Sequence, residues 1–209
     1  MRGRRSRSPS RPHWQCLPVL VLLWVAGLDV RAESLPHVTI ETELGTIEVE
    51  VNVVRAPLTA TNFLRYVDAG LFRETSFYRV VHLDNDPGNS VKIEVIQGGR
   101  SAAADVAGFP PIAHEPTATT GLHHLDGVVS MARLDPGSAS SEFFVCVADQ
   151  PELDEGGRRN PDGAGFAAFG RVVKGADVVR AIHRSSRNGQ SLSPRIAIHD
   201  ILRLGTDSR

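Results

Sequence analysis

Residues 47–53 place Ile47, Val49, Val51 and Val53 at every second position, with Glu48, Glu50 and Asn52 between them. A two-residue apolar period suits an extended strand with one face on a core and the other in water. Val38 and Ile40 alternate in the same way upstream of Glu43-Leu44-Gly45, so 37–53 reads as a β-hairpin. Further apolar runs predict strands over 76–82, 91–97, 127–132, 142–148, 168–173 and 196–204. Helical spacing occurs twice. Pro57 opens a helix to about Asp68, with Phe63, Leu64 and Val67 as its apolar stripe and Gly70 as its stop. A second helix is expected over 175–183, where Val178, Val179 and Ile182 share a face. The stretch 84–90, with Asp86-Pro87-Gly88-Asn89, is a turn or loop, and so is the Gly-, Arg-, Asn- and Asp-rich stretch 154–165. Many short strands, two distant helices and no βαβ alternation predict a mainly β fold, a closed antiparallel barrel with helices packed on it.

The first 32 residues differ in kind. Residues 2–11 carry five arginines, an apolar stretch runs from Leu17 to Leu28, and Val30-Arg31-Ala32 offers small residues where a signal peptidase reads. This pattern predicts a signal peptide over 1–32, a domain over 33–209, and a periplasmic or secreted location. The apolar stretch is shorter than the roughly 20 residues of a membrane span, so no stable membrane insertion is expected after cleavage. Arg4-Arg5 also suggests a twin-arginine signal, but the residues after it do not extend that pattern. Without 1–32 the chain holds 17 Lys and Arg against 23 Asp and Glu. That mildly acidic body carries no electrostatic footprint for nucleic acid. It would keep a single cysteine, Cys146, inside the apolar run Phe-Phe-Val-Cys-Val, which reads as a small buried hydrophobe.

Six fragments carry a family resemblance. They are Ala56-Pro57-x-Thr59-x-x-Asn62-Phe63, Phe77-Tyr78-Arg79-Val80, Val95-Ile96-Gln97-Gly98-Gly99, Gly127 to Arg133, Ser141 to Val147, and Phe169 to Val173. In this order they resemble the cyclophilin family over about residues 37–204, and Asp149–Asp154 with Arg159–Gly163 is similar to exported bacterial members. The resemblance implies a closed eight-stranded antiparallel β-barrel capped by two α-helices. It implies peptidyl-prolyl cis–trans isomerase activity on proline-containing unfolded or exported polypeptides, with no cofactor, no metal and a monomeric chain. By resemblance Arg79 is the catalytic arginine and Gln97 stands beside it. Phe144 floors a proline pocket, Val95, Leu153 and Phe166 wall it, and Ala132 and Arg133 lie on the strand that pairs with substrate.

The chemistry suits these residue types. Rotation about an Xaa–Pro bond meets a barrier of about 18–20 kcal/mol from amide resonance, and no bond breaks, so neither nucleophile nor metal is required. A fixed guanidinium can donate to the prolyl nitrogen as it turns pyramidal, while an apolar slot grips the pyrrolidine ring. Three positions depart from the family pattern. Glu94 stands where a phenylalanine is usual, Glu152 where a tryptophan is usual, and Phe166 where a histidine is usual. The change at Glu152 predicts weak binding of cyclosporin-type inhibitors. These departures keep open a second reading, a module that binds proline segments with little turnover. A third reading is a metal-dependent hydrolase around His114-Glu115 and His123-His124. It lacks a His-Glu-x-x-His helix, and the flanking Pro, Thr and Gly favour a solvated loop, or else a satisfied strand residue.

Overall fold

A computed structural model describes residues 34–100 and 108–205, so the signal peptide expected over 1–32 lies outside the described residues. Among the described residues nine strands occur in chain order: β1 (His37–Thr42), β2 (Gly45–Val51), β3 (Thr75–Val81), β4 (Val95–Gly99), β5 (Val128–Met131), β6 (Glu142–Cys146), β7 (Ala167–Lys174), β8 (Arg187–Asn188) and β9 (Ser191–Arg203). Three helices interrupt them: α1 (Pro57–Asp68), the short α2 (Thr117–Thr120) and α3 (Ala176–His183), and a 3₁₀ turn spans Pro151–Leu153. The strands pair antiparallel in the order β1-β2-β7-β5-β6-β4-β3-β9, and β9 returns to β1, which closes an eight-stranded barrel. Strand β8 is a two-residue appendage hairpinned onto β9. Among the described residues, no helix is long and apolar enough to cross a membrane.

The inward sets of the alternating strands fill the barrel. Val38, Ile40, Ile47, Val49 and Val51 are fully buried, as the two-residue period predicts. Phe63 of α1 drops into this core, with ring centroids 5.3, 5.6 and 4.9 Å from Phe72, Phe143 and Phe169. Val179 and Ile182 bring the apolar face of α3 into the same core. Helix α1 begins at Pro57, and its free N–H groups are capped from a distance. Glu115 accepts from Leu58 N at 3.1 Å, Thr59 N at 2.6 Å and Thr59 Oγ1 at 2.6 Å. Glu115 is thus a buried structural cap.

Two strand starts differ from the sequence reading by more than two residues. The run expected at 91–97 becomes a strand only at Val95, where Val95 pairs with Val81. Upstream, side chains take the backbone groups a ladder would use: Asn89 Oδ1 accepts from Val91 N, and Arg159 Nη1 donates to Val91 O. At its far end β4 runs into Gly98, where a Cβ would stand 2.7 Å from the Phe77 ring and 2.9 Å from Ser76 O. Only glycine lets β3 and β4 approach so closely. The last strand begins at Ser191 rather than 196, because Leu192 is buried and Ser191 pairs with both Asn188 and Arg79.

Candidate active site

Strand register alone assembles the centre of the site. Arg79 pairs with Gln97, Gln97 with Phe144, and Phe144 with Ser130, a row across β3, β4, β6 and β5. Directly paired residues share a sheet face. The neighbours Val80, Ile96, Phe143 and Val129 point into the barrel core, so the row faces outward. There Val81, Ile93, Val95, Phe144, Cys146 and Leu153 form a second, smaller apolar cluster, with Ala132 and Phe166 packed against it. It borders a cavity of about 360 Å³. All eight residues singled out from the sequence line this cavity: Arg79, Gln97, Val95, Ala132, Arg133, Phe144, Leu153 and Phe166.

Arg79 is held on two sides. Its Nη1 donates to Gln97 Oε1 at 2.6 Å and its Nε donates to Gln190 Oε1 at 2.8 Å. Gln97 is nearly buried, and its Nε2 donates to Tyr78 Oη at 2.8 Å, which fixes the amide's orientation. Burial, and then the Glu142 carboxylate, push the Tyr78 phenol well above its ordinary value, so it stays protonated. Burial, and then the neighbouring Arg159, lower the Arg79 pKa, but an arginine starts so high that it stays cationic. The result is a charged fork, aimed by two amides, at the rim of an apolar cavity.

The cavity walls come from separate elements. Phe166 meets Phe144 edge to face at 5.3 Å and 86°. Leu153, at the end of the 3₁₀ turn, is buried, and its carbonyl accepts from Phe166 N at 2.9 Å. The fourth wall corrects the expectation at Glu94. Ile93 supplies the apolar contact, while Glu94 turns away toward His82 and His183. Glu152 also stays out of the cavity and pairs with Arg158 at 2.8 Å. Strand β5 ends at Met131, so Ala132 and Arg133 fall just beyond the strand expected to carry them, and Arg133 has a further role. Its guanidinium side chain is only 1% exposed and clamps Asp162 at 2.7 and 2.9 Å and the Gly165 carbonyl. It lies 5.2 Å over the Phe166 ring, so the side chain is a brace for that aromatic wall. The brace holds the Asp162 carboxyl down at about 2.

The histidines also differ from a solvated loop. His124 is buried and stacks on Phe144 with centroids 5.9 Å apart. Its Nδ1 lies 2.7 Å from Asp154 Oδ1 and its Nε2 lies 2.9 Å from Ser130 Oγ. His123 reaches the other Asp154 oxygen at 2.8 Å, and His114 Nε2 lies 2.9 Å from the Ala164 carbonyl. Asp154–His124–Ser130 has the connectivity of a nucleophile relay, but Ser130 has no exposure at all. No substrate carbonyl can reach that hydroxyl, so the relay supports the Phe144 floor from behind.

Several residues of the site were not singled out from the sequence. Gln190 lies 111 positions from Arg79 in the β8–β9 turn, and the Asn188-Gly189 pair is the local signal that marks such a turn. Ile93, Glu142, Arg159 and Asn160 border the cavity itself. Arg159 ties the stretch 84–90 to the stretch 154–165 through Asp86 Oδ2 at 2.6 Å, and both of these side chains are largely buried. No sequence spacing marks that clasp.

Comparison with known proteins places the chain among isomerases. Residues 37–202 match the family described as cyclophilin type peptidyl-prolyl cis-trans isomerase. The chain is 38% identical over 154 residues to peptidyl-prolyl cis-trans isomerase A of Dickeya dadantii, covering 72% of this chain and 73% of that one. It is 36% identical over 167 residues to a peptidyl-prolyl cis-trans isomerase of Acinetobacter baylyi, covering 78% and 80%. In fold it is similar to a cyclophilin type isomerase of Cryptosporidium parvum crystallised in the presence of the dipeptide Ala-Pro. That match has a TM-score of 0.65 and 21% identity, and covers 81% of this chain and 99% of that one.

Proposed function

The chain belongs to the cyclophilin-type peptidyl-prolyl cis–trans isomerases, and from that membership we propose that Arg79 drives the rotation while the Phe144 pocket holds the proline ring. The apolar walls grip the pyrrolidine. The peptide on its N-terminal side then turns against the fixed guanidinium. As resonance is lost the prolyl nitrogen gains a lone pair, and a donor already in place stabilises it more than it stabilises the planar amide. The carrying observation is the double tether on Arg79, at 2.6 and 2.8 Å, at the edge of a cavity floored by the Phe144 cluster. The Ala-Pro dipeptide named with the Cryptosporidium parvum structure supports a proline-containing peptide as substrate.

The natural substrates on this reading are exported polypeptides. A monomeric chain meets them in the periplasm or outside the cell after loss of residues 1–32. The arginine-rich start and short apolar stretch support that location. Ile93 refills the wall that Glu94 leaves, which favours turnover over a binding module without it. A protease-coupled assay on a proline tetrapeptide tests the mechanism. Arg79→Ala lowers kcat/KM by about 100- to 1000-fold, as expected for loss of one preorganised donor. Equal rates for the variant and the wild type, both at the uncatalysed level, would leave only the binding reading.

A further inference from the structure

On the reverse side of the pocket wall, three side chains converge that the isomerase reaction does not use. His82 follows β3, Glu94 precedes β4, and His183 ends α3. One ligand atom from each lies within 4.8 Å of the others. The two imidazole rings stack with centroids 3.7 Å apart and planes 24° from parallel. Main-chain carbonyls occupy one nitrogen of each ring: His82 Nε2 lies 2.8 Å from His183 O, and His183 Nε2 lies 2.9 Å from Val81 O. A carbonyl can only accept, so each Nε2 carries the hydrogen and a neutral ring keeps its lone pair on Nδ1. The Glu94 carboxylate has no hydrogen-bond or ion-pair partner among the described residues, although it is half-buried.

We infer that His82, Glu94 and His183 form a site for a late first-row divalent ion, with Zn²⁺ the best match. Two imidazoles and one carboxylate, with a fourth position left to water, are a common zinc donor set. A histidine ligand usually donates its other N–H to a carbonyl or carboxylate, and both rings here already do so. Metal–ligand bonds of about 2.0–2.1 Å put tetrahedral donors roughly 3.3 Å apart, so the rings turn out of their stack as the cluster closes on the ion. Glu94 sits between Ile93 and Val95, and His82 follows Val81, and all three of these neighbours belong to the pocket cluster. A bound ion therefore fastens the pocket wall to the end of α3. The reaction needs no metal, so this ion is a structural fastener and no step of catalysis runs through it.

Co²⁺ titration of the untagged, chelator-treated full chain tests the site by visible absorption. The expected result is one Co²⁺ per chain with the strong absorption of a four-coordinate ion, displaced by Zn²⁺. Glu94→Gln and His82→Asn each weaken binding at least tenfold while circular dichroism stays unchanged. His183 is buried, so His183→Asn is informative only alongside those two. Absence of a four-coordinate spectrum in the wild type overturns the site. So does a Glu94→Gln variant that binds as tightly, because the ion then sits on a surface pair such as His123–Asp154 or His37–Glu48.

Discussion

Replacing Gln190 by leucine removes one of the two tethers on Arg79 and leaves the cation, Gln97 and the apolar pocket in place. The lost bonds are the 2.8 Å donation from Arg79 Nε and a long 3.5 Å donation from Gln190 Nε2 to Asn85 O, while the 2.6 Å bond from Nη1 to Gln97 stays. The turn carrying residue 190 keeps its own anchor, because Asn85 Nδ2 donates to Gly189 O and Val80 O, each at 3.1 Å. Holding an arginine still costs roughly 2 kcal/mol of rotamer freedom, so loss of one tether of two returns about 1 kcal/mol of disorder to the guanidinium. A hydrogen bond to a charged group contributes at most about 3 kcal/mol. At about 1.4 kcal/mol per tenfold in rate, kcat/KM falls by at least about 5-fold and at most about 150-fold. The loss should appear in kcat, because the residues that grip the ring are untouched and aiming matters only in the twisted state. Exchange NMR on a proline tetrapeptide measures the rate, and the peptide's chemical-shift titration gives its affinity. A kcat/KM within twofold of wild type at an unchanged melting temperature refutes the positioning role, and so does a loss confined to KM.

Two further outcomes are expected. The Asp162 carboxyl, at about 2 in the fold against an ordinary 3.8, stabilises the protein above about pH 4, and that contribution disappears as pH falls toward 2. The gap in melting temperature between wild type and Asp162→Asn should therefore be constant near neutrality and close between about pH 4 and 2. A gap that persists at pH 2 assigns the effect to something other than ionisation. N-terminal sequencing of the chain recovered from the periplasm or medium of an expressing bacterium should begin just after Ala32, and a chain retained whole in the cytoplasm contradicts the export reading.

What was legible in the sequence follows from how local each cause is. The β1–β2 hairpin and α1 are written in their own residues, through alternation and through Pro57 with its apolar stripe, and both appear where they are expected. The start of β4 is not local. It depends on Arg159, 68 positions away, taking the Val91 carbonyl. The eight cavity residues were visible through family resemblance, not through periodicity, since an arginine in a Phe-Tyr-Arg-Val strand carries no mark of its setting. Gln190 and Ile93 escaped for the same reason that β4 began late. Their places depend on how distant loops fold back, and no spacing within either loop encodes that. Arg133 shows the limit of positional analogy. Its backbone lies just past the end of β5, and Asp162, from the stretch 154–165, takes its side chain.

The seam between β1 and β9 has a consequence for how the molecule is made. Val38 pairs with Arg203, so the first strand waits for a partner synthesised about 165 positions later. At roughly 5–20 residues per second, a ribosome needs about 8 to 33 seconds to supply it. Until then the cylinder cannot shut, and contacts between such remote segments are slow to form in any case. For that interval β1 has only β2 beside it, and its other edge stays unpaired. A catalyst of prolyl isomerisation is thereby committed to being among the later folders itself.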